Sequence, residues 1–209
     1  LAAITTGDGN VAIGHNVLTK LTGADENMGI GANALEDNTS GDGNSAIGKN
    51  SLTNNTSGNW NSAIGSHSAK FNTSGDDNVA VGNSSLRDNT IGSRNTALGK
   101  SSGFSITGAA NDNTTVGYGA GDDIETGSNN VIIGSGSNPS AATASNQIVV
   151  GYGATGHGNN IGVIGNTDMT AWHPADDDGV DLGSSSYEFK DLYIDGTANI
   201  DELTDGTAT

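Results

Sequence analysis

The sequence contains no cysteine, only two prolines and few aromatic residues, which make up 4% of its 209 positions. Without cysteine, the chain can form neither a disulfide framework nor a thiolate metal site. So few aromatic rings cannot build a large interlocking core, and no apolar run reaches the roughly 18 residues that a membrane helix requires. The fold must therefore be stable with a thin core.

Basic residues are also scarce, since 7 lysines and arginines stand against 24 acidic residues and give a formal charge of -17. Nucleic-acid phosphates and anionic lipids attract lysine and arginine, and they would repel an acidic surface. We therefore predict that the protein binds no nucleic acid and does not insert into a membrane.

Glycine, by contrast, is abundant, with 33 residues, and part of it recurs in phase. The segment Asn44-Ser45-Ala46-Ile47-Gly48 returns seventeen residues later as Asn61-Ser62-Ala63-Ile64-Gly65. The closing glycine, here called the marker glycine, recurs at intervals of 17 or 18 residues: Gly14, Gly31, Gly48, Gly65, Gly82, Gly99, Gly117, Gly134 and Gly151. Gly165 follows after only 14 residues, and we expect the register to fail there. Nine units in phase identify a repeat protein.

Other positions repeat in the same phase and form columns along the chain. The amide column stands four residues before the marker glycine: Asn10, Asn27, Asn44, Asn61, Asn78, Asn95, Asn113, Asn130 and Gln147. The large apolar column stands one residue before it: Ile13, Ile30, Ile47, Ile64, Val81, Leu98, Val116, Ile133 and Val150. The small column stands two residues before it: Ala12, Gly29, Ala46, Ala63, Ala80 and Ala97, then Thr115, Ile132 and Val149. The leucine column stands four residues after it: Leu18, Leu35, Leu52, Ala69 and Leu86.

No unit has apolar residues every three or four positions, so helical repeats are excluded. Short strands, a glycine and a polar turn predict an all-β fold, a β-solenoid or β-roll of about nine 17-residue coils over residues 1–167. Neighbours in a strand point to opposite faces, so we expect the large apolar column to point into the coil. The small column would then lie against another backbone, either a second wall of the coil or another chain, and we favour another chain.

The remaining residues, 168–209, are predicted to form a small β module. They include Trp172, Tyr187, Phe189 and Tyr193, a high share of the aromatic residues. Alternation in Asp191–Ile194, followed by Asp195-Gly196 and residues 197–200, predicts a hairpin with a two-residue turn.

The unit Asn-Ser-Ala-Ile-Gly-x-x-Ser-Leu-x-x-Asn-Thr-Ser-Gly, over about residues 6–165, resembles the head repeats of trimeric adhesins and the related repeats of bacteriophage tail fibres. This resemblance implies a left-handed parallel β-roll in a homotrimer packed around one axis. Residues Val180–Tyr193 are similar to the segment that phage fibres carry before a self-cleaving C-terminal chaperone domain, which implies that such a domain follows. The second similarity favours a phage fibre over an adhesin. The small column departs from the pattern from Thr115 onward, so the packing there is expected to differ.

An aspartate column stands six residues before the marker glycine: Asp8, Asp25, Asp42 and Asp76, with Asn59 in the gap. Stacked coils would place these carboxylates about 5 Å apart, at a cost of roughly 1 kcal/mol per pair. Bound calcium would offset the repulsion, because calcium prefers oxygen ligands. Alternatively, each aspartate bonds to the backbone of its own turn. We favour the turn role and predict no resident cofactor.

A threonine column stands nine residues before the marker glycine: Thr5, Thr22, Thr39, Thr56, Thr73 and Thr90. Ice-binding solenoids generally carry two such files in parallel, and only one is present, so we predict hydrogen bonding between turns. Several asparagines open glycosylation triplets: Asn38, Asn55, Asn72, Asn83 and Asn113. Amide side chains that stack coil on coil explain the amide column more simply.

Catalytic signals are weak. The histidines His15 and His67 occupy different phases of the repeat, His157 and His173 form no pattern with them, and no nucleophile elbow, zinc-binding helix or phosphate loop is present. We predict no catalytic residues and no enzyme activity. Trp60, Phe71 and Phe104 lie in or near turns, where rings contact carbohydrates, proteins or a neighbouring chain, and we favour the neighbouring chain.

The sequence thus predicts a structural fibre protein, a trimeric phage tail fibre of the virion that presents a surface to a host glycan or protein receptor. One alternative is a bacterial adhesin head or extracellular filament subunit at the cell surface. Another is a single-chain solenoid that binds ice or calcium.

Overall fold

A computed structural model describes residues 7–173, 175, 182–184 and 186–197. The chain divides into two compact units, residues 1–169 and 170–209, which are described separately. The first unit is a parallel β-solenoid of about nine turns, and its described part contains no helix. The prediction of an all-β solenoid built from 17-residue coils is therefore confirmed. Within the described residues, no helix is long and apolar enough to cross a membrane.

Each coil contributes one three-residue strand to a single sheet. The strands are β1 (Val11–Ile13), β2 (Met28–Ile30), β3 (Ser45–Ile47), β4 (Ser62–Ile64), β5 (Val79–Val81), β6 (Thr96–Leu98), β7 (Thr114–Val116), β8 (Val131–Ile133), β9 (Ile148–Val150) and β10 (Gly162–Ile164). They lie in chain order, all parallel, so that each column of the sequence becomes a stack in space. The expected failure of register at Gly165 was wrong for the sheet, because Ile164 still pairs with Val150 across the shortened coil.

The marker glycine ends every strand for a steric reason. Its φ lies between 121° and 142° in the nine units from Gly14 to Gly151, a region that side chains disfavour. A Cβ on Gly48 would also lie 2.5 Å from the carbonyl oxygen of Gly65 in the next coil. Only glycine satisfies both constraints, which explains why this position never varies.

The core is thin, and it is filled by the small column and the leucine column. Ala46, Ala63, Ala80 and Ala97 are completely buried, as are Leu35, Leu52 and Leu86. The leucines of this column have φ between 47° and 51°, a left-handed conformation that costs roughly 1–2 kcal/mol per residue. Burial of a leucine side chain, worth about 1.5–3 kcal/mol, offsets this strain.

Size changes in one column are compensated in another. Gly29 lacks a side chain where the preceding coil carries the bulky Val17, whose methyl group would overlap a Cβ at that position. Where the small column has the larger residue Thr115, the leucine column has Gly121. A Cβ on Gly121 would lie 2.6 Å from the methyl group of Thr115. The interior volume per coil is thus maintained, as close packing requires.

Buried amide ladders connect the coils. In the amide column, Asn61 Nδ2 donates to Asn44 Oδ1 at 3.1 Å and to the backbone oxygen of Gly75 at 2.8 Å. A second amide column lies seven residues after the marker glycine: Asn38, Asn55, Asn72 and Asn89. Its Nδ2 groups also donate to the preceding coil. The prediction that side-chain amides stack coil on coil is confirmed.

In the second unit, Ser184 and Tyr187 form an isolated antiparallel bridge. Asp191–Ile194 contains no strand, so the first half of the predicted hairpin is not found. Its second half, residues 198–200, lies outside the described residues. Several side chains of this unit are highly exposed, among them Trp172, Tyr187 and Tyr193.

Candidate functional site: an apolar sheet face and a basic face

The outer surface of the ten-stranded sheet carries exposed apolar side chains along its length, with serine or threonine at four positions: Ser45, Ser62, Thr96 and Thr114. Side chains one and three residues before the marker glycine point away from the coil and form what we call the apolar sheet face. Among its exposed members are Val11, Ile13, Met28, Ile47, Ile64, Val79, Leu98, Ile133, Ile148 and Ile164. Ile13 is 58% exposed, Ile64 44% and Leu98 49%, which are high values for large aliphatic side chains repeated in register.

The predicted direction of the strand side chains was wrong. The large apolar column points outward and the small column points into the coil of its own chain, where Ala63 and Ala80 have no exposed surface. A small residue is favoured at Ala63 because the leucine column, here Leu52 of the preceding coil, fills part of the same core. The small column therefore lies against a wall of its own coil and gives no support to an inter-chain contact.

The aspartate column forms a ladder between coils. Asp25 Oδ1 accepts the backbone N–H of Asp8 at 2.7 Å, and Asp42 Oδ1 accepts that of Asp25 at 2.8 Å. Asn59 continues the ladder by accepting from Asp42 at 2.9 Å. The carboxylates of Asp25, Asp42 and Asp76 thus bond the backbone of the preceding coil, and not their own turn as predicted. The described residues contain no group of three or more acidic, histidine or cysteine side chains placed to hold a metal.

Threonine hydroxyls make a parallel ladder. Thr39, Thr56 and Thr73 each donate to the backbone carbonyl of the threonine in the next coil, at 2.8 to 2.9 Å. The predicted hydrogen bonding between turns is therefore confirmed for these positions, while Thr5 lies outside the described residues. Of the asparagines in glycosylation triplets, Asn38, Asn55, Asn72 and Asn113 are buried in the amide ladders, whereas Asn83 is exposed.

A second surface follows the marker glycine on the side of the coil next to the sheet. It contains Lys49, His67, Lys70, Phe71, Arg87, Lys100 and Phe104, which we call the basic face. A groove of about 410 Å³ runs over it and is lined by His67, Lys70, Phe71, Ser84 and Arg87. The stacked coils bring these residues together, although they are far apart in the sequence.

Cations cap the aromatic rings of the basic face. Lys70 Nζ lies 4.7 Å from the centroid of Phe71, and the guanidinium of Arg87 lies 3.8 Å from that of Phe104. Both distances fit cation–π contacts. Arg87 also forms a bidentate ion pair with Asp88, at 2.7 and 3.0 Å. The arrangement leaves Phe71 exposed at the rim of the groove.

The environment of His67 disfavours the protonated form of its imidazole. Burial lowers the pKa of its imidazole, and the nearby cations Lys70, Lys49 and Arg87 lower that pKa further. Asn50 Nδ2 donates to His67 Nε2 at 3.1 Å, which leaves Nδ1 as the protonated nitrogen facing Ser66 Oγ at 2.8 Å. His67 therefore continues the polar stack of Asn33 and Asn50 and does not act as an ion-pair partner.

No protein-family model, curated protein or solved structure matches this chain. The two faces described above are therefore the basis for a functional argument.

The sequence predictions located part of these faces. Phe71 and Phe104 were identified as turn aromatics, but the cations that cap them were missed. A signal was available, because Lys70, Arg87 and Phe104 occupy the same phase of the repeat in successive coils. Trp60, also identified, lies apart from the basic face and packs over Gly43 of the preceding coil.

Proposed function

We propose that this chain is the shaft or distal part of a homotrimeric fibre that spaces and presents a receptor-binding surface, a bacteriophage tail fibre in the virion. The observation that carries the proposal is the apolar sheet face. Parallel sheets occur almost only where both faces are covered, and this sheet leaves ten strands uncovered on one side. A continuous exposed apolar surface of this kind marks an interaction site.

Another copy of the same chain is the partner that best fits this face. The apolar residues recur once per coil, so two copies in register would match along their whole length. The resemblance of the repeat to trimeric adhesins and phage fibres implies three copies, with the three sheet faces meeting at the axis. A face-to-face dimer would cover the same residues, so the number of chains must be measured.

The proposed mechanism is mechanical and multivalent. Three parallel solenoids form a stiff shaft because hydrogen bonds join every coil to the next. Weak receptor sites repeated on one particle add through their effective concentration. A bacterial adhesin or extracellular filament would use the same shaft, and the similarity of residues Val180–Tyr193 to phage fibres favours the phage protein.

Native mass, measured by light scattering with and without EDTA, tests the proposal. The fibre predicts three times the 20.8 kDa subunit mass in both conditions. A trimer that dissociates in EDTA would support the fibre and also restore the aspartate column as a calcium site. A stable monomer would exclude the fibre and favour a single-chain solenoid.

A further inference from the structure

The charges of the solenoid are unevenly distributed, although the chain as a whole is strongly acidic. In four successive coils, the segments that follow the marker glycine are residues 48–54, 65–71, 82–88 and 99–105. Together they carry four of the seven basic residues, namely Lys49, Lys70, Arg87 and Lys100. They carry one acidic residue, Asp88, which is paired with Arg87. The basic face is thus a positive region on a negative protein.

Acidic residues border this region at both ends. The equivalent segment of the preceding coil carries Glu36 and Asp37, and that of the following coil carries Asp122 and Asp123. At about 4.8 Å per coil, the positive region is roughly 15 Å long. It can therefore accommodate a short anion but not a long one.

Its lysines have no partner of opposite charge. Among the described residues, Lys49, Lys70 and Lys100 form no ion pair, whereas Lys20 and Arg94 are paired with Asp37 and Asp112. An unpaired cation beside other cations is unfavourable, and an incoming anion would relieve that repulsion. Burial is the main cause of the lowered pKa of His67, and Lys70, Lys49 and Arg87 lower that pKa further.

The aromatic ring at the rim of the groove adds a second kind of contact. Phe71 is 36% exposed beside Lys70. The apolar face of a sugar ring can stack on such a side chain while its acidic substituents reach the lysines. Cations and an aromatic ring in one groove suit a ligand that has both charge and an apolar face.

We propose that the basic face binds a short acidic oligosaccharide, carboxylated or sulfated, of a cell-surface glycan. The inference rests on the proposed function, since it names the receptor class that such a fibre would recognise. Nucleic acid is disfavoured because its closely spaced phosphates would extend onto the acidic coils at either end.

Calorimetric titration of the native chain with four probes tests this inference. The probes are an oligogalacturonate tetramer, a heparin-derived tetramer, neutral maltotetraose and a short single-stranded DNA. We expect binding to one or both acidic tetramers and none to maltotetraose, and affinity should fall as salt is raised. The two acidic arms distinguish a carboxylated from a sulfated receptor. Absence of binding to both would overturn the inference, as would tighter binding of the DNA.

Two double variants with equal net charge locate the site. Lys49→Gln with Lys70→Gln removes two unpaired cations of the basic face and should weaken binding by about tenfold or more. Lys20→Gln with Arg94→Gln removes two cations elsewhere and should leave the affinity within about twofold, because exposed ion pairs contribute little. An equal loss of affinity in both variants would indicate general electrostatic attraction and overturn the assigned site.

Light scattering on the same samples separates this inference from the proposed function. A trimer that binds neither acidic tetramer would overturn the inference and leave the fibre intact. A monomer would overturn the fibre, whatever it binds.

Discussion

Asn89 donates a hydrogen bond from Nδ2 to Asn72 Oδ1 at 3.0 Å, and its own Oδ1 is buried without a partner. The second amide column ends here because the next coil places Ile106 where asparagine would stand. The same coil replaces the expected leucine by Gly103, and Ile106 fills the core in its place. The presence of Gly103 and Ile106 in this coil thus leaves Asn89 Oδ1 without a hydrogen-bond donor.

The pairing of Gly103 with Ile106 predicts how substitutions in this coil change the free energy of unfolding. Ile106→Asn alone should lower the free energy of unfolding by about 2–4 kcal/mol, because the core loses a buried side chain. Gly103→Leu, Ile106→Asn and Thr115→Ala together restore the pattern of the earlier coils and should recover most of that loss. Urea unfolding measures both variants. If the triple variant is no more stable than the single one, the compensation between columns is incorrect.

The marker glycine should be intolerant of any side chain. Gly48→Ala adds a Cβ 2.5 Å from the carbonyl oxygen of Gly65 at a φ of 140°, and we expect a loss of about 3 kcal/mol or more. Gly153→Ala is the control, because that glycine has a φ of 58° with open space around it and should lose only about 1–2 kcal/mol. Thermal unfolding should separate the two variants clearly.

A charge on the apolar sheet face should disrupt the oligomer. Ile64→Lys would place an unpaired ammonium group between the proposed chains, where its desolvation is costly. Ile91→Lys is a matched control, since Ile91 is 48% exposed against 44% for Ile64 but lies outside the sheet. Light scattering should show dissociation for the first variant only. A trimer that tolerates Ile64→Lys would exclude this face as the interface.

The aspartate ladder predicts that the side-chain oxygen matters more than the charge. Asp42→Asn keeps the acceptor for the backbone N–H of Asp25 and should change stability by less than about 0.5 kcal/mol. Asp42→Ala removes that acceptor and should cost about 1–3 kcal/mol. Melting curves with calcium and with EDTA should coincide for the native chain. Loss of a calcium-dependent increase in melting temperature in Asp42→Asn would instead show a metal site.

His67 should make stability depend on pH. Its pKa in the folded chain is lowered by burial and by Lys70, Lys49 and Arg87, so the unfolded state binds more protons below the ordinary value of about 6.5. Stability is therefore fully present above that value and decreases as the pH falls through it toward the folded pKa. NMR titration of the imidazole should give a midpoint below 6.5. His67→Asn, which continues the stack of Asn33 and Asn50, should remove this pH dependence.

The repeat made most of the fold predictable, because identical spacing forces identical coils into register. The direction of the strand side chains was not predictable by the same reasoning. Alternation says that Ala63 and Ile64 point to opposite faces, but it does not say which face is inside. The informative residue is Leu52 of the preceding coil, whose side chain is buried in the same core as Ala63 and leaves less room there for a large residue.

The candidate site was less predictable, because a basic face arises from residues that depart from the repeat. His67 and Lys70 stand where the three preceding coils carry asparagine and threonine or glutamate, so they appear as exceptions in the sequence. Only the stacking of coils shows that these exceptions are neighbours.

Because each coil bonds only to the coils beside it, whole coils can be gained or lost without altering the cross-section. Every such event would change the distance between the two ends by one fixed step of about 4.8 Å. Unequal recombination between similar segments such as residues 44–60 and 61–77 supplies a simple route to such changes. The length of the solenoid is thus a heritable property that selection can increase or decrease by one whole coil at a time.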